Sequence, residues 1–140
     1  MNNLTFGMIK PDAIEKNYTG KIIDLILQSG FKIISLKQIQ LTTRQAELFY
    51  YVHHNRPFYR DLVEYITRGP VIAMVIEKEN AVQSFREILG ATDPAEAADG
   101  TIRKLYGESK AVNAIHGSDS DENAQIEISF MFNQLELING

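Results

Sequence analysis

Six consecutive apolar residues, Val71-Ile72-Ala73-Met74-Val75-Ile76, constrain this chain more than any other stretch. A strand with one wet face alternates polar and apolar side chains, whereas an unbroken apolar run has to be covered on both faces. Gly69-Pro70 stands directly before it and stops any helix from running in. The run therefore predicts a central strand, and the remainder of the chain has to supply its neighbours and its cover.

The flanking segments supply both. Leu4 to Ile9 reads as a short buried strand, followed by turn chemistry at Lys10-Pro11-Asp12. Tyr18-Thr19-Gly20 precedes a helix in which Ile22, Ile23, Ile26 and Leu27 share a face and which Gly30 ends. Phe31 to Ile39 reads as a second strand, with Phe31, Ile33 and Ser35 on one face and Lys32, Ile34 and Leu36 on the other. Thr42 and Gln45 have capping-box spacing and open a helix to about His54. Asn55-Arg56-Pro57 ends it and starts another, carrying Phe58, Tyr59, Leu62, Tyr65 and Ile66. Asn80 caps a helix with Val82, Phe85 and Leu89 inward and Gly90 at its end. Residues 91–112 form a long loop with one helical turn near Thr101 to Tyr106, and a loop of that length in a compact domain is usually functional. A short strand ends at Ala114-Ile115, Ser118 to Asp121 begin a last helix that runs through Phe132 with Ala124, Ile128 and Met131 inward, and a brief tail follows it to Gly140.

That order predicts an α+β fold. A four-stranded, largely antiparallel sheet with helices packed against it, the doubled β-α-β arrangement of ferredoxin-like folds, accommodates every segment. With 140 residues, 44% of them hydrophobic, the expectation is a single domain over 1–140.

Composition excludes several functions. A net charge of -4 argues against nonspecific nucleic-acid binding and against docking on acidic membranes. Without cysteine there are no disulfides and no thiolate metal sites. The first six residues lack a leader's basic and apolar regions, no stretch approaches a membrane span, and a cytoplasmic location is expected. Neither glycine-rich phosphate loop nor an H-E-x-x-H helix is present. His53 and His54 diverge by about 100° on a helix, so they cannot clasp one metal and read as an exposed helix end.

Chemistry concentrates in Asn113-Ala114-Ile115-His116-Gly117-Ser118-Asp119. Gly117 removes a side chain beside the imidazole, and the short polar residues either hold His116 from behind as a nucleophile or form a capping-rich turn around an inert ring. Glu127 falls on the inward stripe of the last helix and either reaches that imidazole, orienting it as the acid of a triad does, or turns to solvent. Ser118 bonds that carboxylate, caps the helix, or does both. Lys10 ends a buried strand, Arg86 sits at the margin of an apolar helix stripe, and Thr92 and Arg103 lie on the long loop. Each has an ordinary solvent-facing reading, yet together they offer three cations and a hydroxyl to an anion.

The ordered set Thr5-Phe6-Gly7-Met8-Ile9-Lys10-Pro11-Asp12, Arg56-Pro57-Phe58, Gly69-Pro70-Val71, Gly90-Ala91-Thr92-Asp93-Pro94, Gly100-Thr101-Ile102-Arg103 and Asn113 to Ser120 resembles the nucleoside diphosphate kinase family across essentially the whole chain. The resemblance implies a ferredoxin-like fold and Mg²⁺-dependent transfer of the γ-phosphate of a nucleoside triphosphate, usually ATP, to a nucleoside diphosphate. It implies ping-pong kinetics through a phosphohistidine on His116, with Mg²⁺ held mainly by the nucleotide phosphates. Lys10, Arg86, Thr92 and Arg103 match the family's phosphate contacts, Phe58 the base-stacking ring and Asn113 the sugar contact. Glu127 and Ser118 match the support of the histidine, and Tyr50 the tyrosine beside it. Family members assemble as hexamers or tetramers built from dimers. The competing expectation is a nucleotide-binding regulatory module that keeps the fold without turnover.

Overall fold

A computed structural model describes residues 3–137, so Met1, Asn2 and the end of the tail at 138–140 lie outside the described residues. Strands β1 (Leu4–Ile9), β2 (Lys32–Ile39), β3 (Val71–Glu77) and β4 (Ile115–Gly117) form one sheet in the order β2-β3-β1-β4. All three neighbouring pairs are antiparallel, which is the ferredoxin-like arrangement. Helices α1 (Pro11–Glu15) and α2 (Thr19–Gln28) join β1 to β2. Between β2 and β3 lie α3 (Thr43–Phe49), one 3-10 turn (Tyr51–His53) and α4 (Tyr59–Thr67). Helix α5 (Ala81–Leu89), a second 3-10 turn (Pro94–Glu96) and α6 (Ile102–Tyr106) lead to β4, and α7 (Asp121–Met131) and α8 (Gln134–Leu137) follow it.

Strand register assigns the two faces of the sheet. Ile9 opposes Ile72 and Gly7 opposes Met74, and this face packs on Ile22 and Ile26 of α2 and on Phe85 and Leu89 of α5. Phe6 opposes Val75 and Met8 opposes Ala73, and the other face packs on Ala46, Tyr50, Val63, Ile66, Ile128 and Met131 from the α3, α4 and α7 side. Every residue from Val71 to Ile76 is buried, as an unbroken apolar run between two helical layers requires.

Local chemistry accounts for most boundaries. Thr42 and Gln45 form the reciprocal capping box at α3, and Gly30 takes a φ of +95° behind α2. The differences have physical causes. Pro11 begins a helix rather than a turn, since its fixed φ suits a first helical position. The helix opened by Thr42 stops at Phe49, and Pro57 stands in a turn ahead of α4. Asn80 precedes α5 in a left-handed conformation (φ 52°) and makes no side-chain cap, so backbone tolerance is its contribution. In β2 a bulge between Ile33 and Ser35 adds a residue, so Ser35 pairs with Val75 and leaves the face of Ile33.

Two readings around the histidine also change. Ala114 is no strand residue, and β4 starts at Ile115 with His116 in its middle. Gly117 frees space on the opposite face from the imidazole: a Cβ there would lie 2.6 Å from Leu89 Cδ1 and 3.0 Å from the Phe85 ring. Gly7, its partner across the strands, is equally close to Phe85, so the two glycines let α5 rest directly on backbone. Gly117→Ala is therefore expected to lower unfolding free energy by about 1–3 kcal/mol through overpacking, read by urea unfolding, and an unchanged midpoint would remove this account of the glycine.

Candidate active site

His116 opposes Met8 across β1 and β4, so its side chain leaves the sheet on the α3, α4 and α7 side. There it meets Phe49, Phe6 and Tyr50 at ring separations of 5.5, 6.0 and 6.2 Å, all edge-on, and keeps 20% of its side chain exposed. Ser120 caps α7 by accepting the Asn123 N–H at 3.0 Å, which fixes where the helix starts. Glu127 then stands under the imidazole. Its Oε1 accepts from His116 Nε2 at 2.9 Å and from the Ser118 hydroxyl at 2.6 Å. Both open alternatives are thereby decided: Glu127 turns inward, and Ser118 serves the carboxylate while Ser120 caps. An ionised carboxylate only accepts, so Nε2 carries the proton in this pairing and Nδ1 keeps its lone pair.

The cations reach the site by different routes. Lys10 follows β1 directly, is only 7% exposed, and donates to Asn113 Oδ1 at 2.9 Å. Asn113, also buried, passes its amide N–H to the Thr92 carbonyl at 3.1 Å, tying the long loop to the end of β1. Arg103 on α6 donates to the Gly90 and Ile115 carbonyls, each at 3.0 Å, so one guanidinium joins the end of α5 to the strand of His116. Burial, with Arg103 nearby, brings Lys10 down to about 8, against a smaller opposing pull from Asp12. Burial, with Arg86 nearby, brings Arg103 down to about 10. Two desolvated cations that no carboxylate bonds directly, Asp12 offsetting the burial of Lys10 only in part, describe an anion site.

Arg86 and Thr92 are exposed, and with Arg103, Gly90 and Thr101 they line a cleft of about 410 Å³. The arginine that sequence left between solvent and cleft does both. Phe58 stands just before α4 with its ring 46% exposed and connects to His116 through His53 and Tyr50, at successive ring separations of 5.6, 6.4 and 6.2 Å. The buried Tyr50 hydroxyl has no hydrogen-bond partner among the described residues, and burial, reinforced by Glu127, pushes its pKa up.

The fold brings Lys10, Thr92, Arg103 and Asn113, far apart in the chain, together beside the strand of His116, while Arg86 joins them through the cleft and Phe58 stands three ring separations away. A family model described as nucleoside diphosphate kinase matches residues 3–137. The chain belongs to the nucleoside diphosphate kinase family. It is 56% identical over 134 residues to a protein named nucleoside diphosphate kinase from Geobacter sp. (strain M21), a match covering 96% of this chain and 98% of that one. The crystal structure of the Aquifex aeolicus nucleoside diphosphate kinase superposes with a TM-score of 0.95 at 48% identity, over 97% of this chain and 99% of that chain. A halophilic nucleoside diphosphate kinase from Halobacterium salinarum, solved in complex with CDP, superposes with a TM-score of 0.93 at 37% identity, over 99% and 92%.

Sequence reasoning passed over three features of this nucleoside diphosphate kinase family site. Phe49 makes the closest ring contact to His116, yet on a helix stripe it reads as ordinary core. His53 is half-buried between Tyr50 and Phe58 instead of exposed, whereas His54 is exposed with its Nδ1 2.7 Å from the carbonyl of Tyr51, the first residue of the 3-10 turn. Asp12 is 1% exposed and bonds Tyr65 and the Ala114 N–H, and its only sequence signal is its place two residues after Lys10.

The buried lysine makes stability depend on pH. Because its folded value of about 8 lies below 10.5, the unfolded chain holds the extra proton between those values and the wild type gains stability as pH rises through that window. In Lys10→Met that gain is absent, so the stability difference, variant minus wild type, is expected to fall by about 2–3 kcal/mol between pH 7 and 10. Parallel urea titrations of the two proteins measure it, and a difference independent of pH contradicts the burial of a charged Lys10.

Proposed function

We propose that this chain transfers the γ-phosphate of a nucleoside triphosphate, usually ATP, to a nucleoside diphosphate through a phosphohistidine on His116. The observation that carries the reading is the pair of hydrogen bonds that Glu127 Oε1 accepts from His116 Nε2 and from the Ser118 hydroxyl, which leaves Nδ1 outside that pairing. In the first half-reaction the Nδ1 lone pair attacks the γ-phosphorus, the bond to the β,γ-bridging oxygen breaks, and the nucleoside diphosphate leaves with that electron pair. In the second, a terminal oxygen of another nucleoside diphosphate attacks the same phosphorus and the N–P bond breaks. Each half-reaction is the reverse of the other in kind, so one site serves both. The phosphorylated imidazole carries positive charge, and Glu127 stabilises it through Nε2–H.

Lys10, Arg86, Thr92 and Arg103 are assigned to the phosphates. The transferred group carries its charge on peripheral oxygens, and fixed cations in a partly dry site stabilise that charge best. Phe58 is assigned to the base: stacking on an exposed ring is indifferent to which base is present. Asn113, with Lys10, is assigned to the sugar hydroxyls, and Tyr50 to the wall beside the imidazole. Among the described residues no three His, Cys, Asp or Glu side chains converge on a metal, so Mg²⁺ fits here as a companion of the nucleotide, held by phosphate oxygens and water. When bound it neutralises phosphate charge.

Incubation with γ-labelled ATP is expected to give an acid-labile adduct that GDP removes as labelled GTP, and His116→Ala is expected to abolish both. Stable nucleotide binding with no adduct would instead favour a regulatory module. In the same assay Arg86→Ala and Arg103→Ala should each lower kcat/KM by the equivalent of about 3 kcal/mol, as loss of one oxyanion donor does. Full activity in both variants overturns their assignment.

No described helix is long and apolar enough to cross a membrane, and a cytoplasmic location is part of the proposal. So is assembly from dimers into a hexamer or tetramer, supported by exposed apolar Leu27 on α2 and Leu36 on the edge strand β2. Light scattering is expected to give four or six times the chain mass of 15.8 kDa, and a monomer rejects it.

A further inference from the structure

Ala114, next but one to His116, occupies backbone that L side chains avoid. Its φ is +78°, and the Ile115 N–H reaches back to the Asn113 carbonyl at 3.0 Å across it. That bond over three residues with a positive central φ makes a γ-turn of the rare, strained kind. The strain sits between two site residues: Asn113, which holds Lys10, and His116.

Three bonds hold the turn from one direction. Ala114's carbonyl accepts the Lys10 backbone N–H at 2.8 Å, and its own N–H donates to Asp12 Oδ2 at 3.1 Å. The second oxygen of the same carboxylate accepts the Tyr65 hydroxyl. Asp12 is 1% exposed, so a buried carboxylate has both oxygens committed, one to the turn and one to α4. The Tyr65 ring is also 5.7 Å from Lys10 Nζ. None of the proposed chemistry requires a buried carboxylate here, which makes its role a question of geometry.

We propose that Asp12 and Tyr65 are positioning residues that clamp the strained Ala114 turn and thereby aim Asn113 at the sugar, and His116 at the γ-phosphate, of one bound nucleotide. Released from Asp12, Ala114 relaxes toward negative φ, the peptide on either side rotates, and the Lys10–Asn113 bond and the approach of Nδ1 are lost together. Asp12 gains a second effect from its place in the chain: its charge favours the protonated form of Lys10, against burial. Tyr65 remains a donor at all working pH values, because burial and the Asp12 carboxylate push its phenol upward.

The proposal rests on transfer through His116, and the experiment separates the two. The rate of His116 phosphorylation is measured at saturating ATP, below every protein's unfolding midpoint, for wild type, Asp12→Ala, Ala114→Gly and the double variant. Asp12→Ala is expected to slow it about tenfold, the size of one relaxed left-handed residue, with the fall in kcat exceeding any rise in KM. Glycine adopts positive φ without a clamp, so Ala114→Gly alone changes little and restores much of the rate in the double variant. Tyr65→Phe, which frees one carboxylate oxygen, shows the same pattern at smaller size. Equal loss from Asp12→Ala with and without Ala114→Gly overturns the clamp. Amide hydrogen exchange at Ile115 reads the turn without chemistry: faster exchange in Asp12→Ala supports the clamp even if wild type fails to label, a failure that counts against the transfer reading alone, and unchanged exchange overturns it.

Discussion

Three residue pairs between β1 and β4 hold the site together: Gly7 with Gly117, Met8 with His116, and Ile9 with Ile115. Side chains alternate across a strand, so this register sends His116 toward α7 and Glu127 while turning Gly117 toward α5. A slip of one residue would press the imidazole against Phe85 and Leu89 and leave Glu127 without its partner. The glycine pair favours the register from the other side, because a Cβ would crowd Phe85 at both positions and Leu89 at Gly117. Core packing and site geometry are thus one constraint, applied to opposite faces of the same short strand.

Around that strand the molecule accepts local costs that a purely structural protein would avoid. Lys10 is buried against a neutral amide, and Arg103 is half-buried with Arg86 as its electrostatic neighbour. Ala114 holds a positive φ, and the Tyr50 hydroxyl is buried without a partner among the described residues. Desolvated cations without a bonded carboxylate and strained backbone lower stability, and their concentration at one strand end fits a site completed by an anionic ligand. The apolar layers on both sides of the sheet offset these costs through burial.

What could be read along the chain depended on whether a signal was local. The Val71–Ile76 run, the Thr42–Gln45 capping box, the stop at Gly30 and the inward stripes of α5 and α7 are patterns of neighbouring residues, and all four stand in the structure, whereas on α2 Ile22 and Ile26 turn inward and Leu27 is exposed. The bulge in β2 was invisible because alternation continues through it; only the partner strand reveals the extra residue. Ala114 was equally opaque, since alanine carries no preference for positive φ and the bonds that hold it there come from Asp12 and Lys10, about a hundred positions away. His53 was misjudged for the same reason: its burial is made by Phe58 and Tyr50, which meet only once the chain turns between α3 and α4.

The sequence by itself determined the kinds of element, the covered central strand and the inventory of groups able to meet an anion, because hydrophobic period, capping chemistry and residue type are properties of short segments. It also carried the ordered motifs of the nucleoside diphosphate kinase family. Only the tertiary structure decided which nitrogen of His116 meets Glu127, that Ser118 bonds Glu127 while Ser120 caps the helix, and that Gly117 makes room for a helix instead of for the imidazole. Those outcomes depend on distances of a few ångströms between segments far apart in the chain, and such distances exist only after strand register and helix packing have been set.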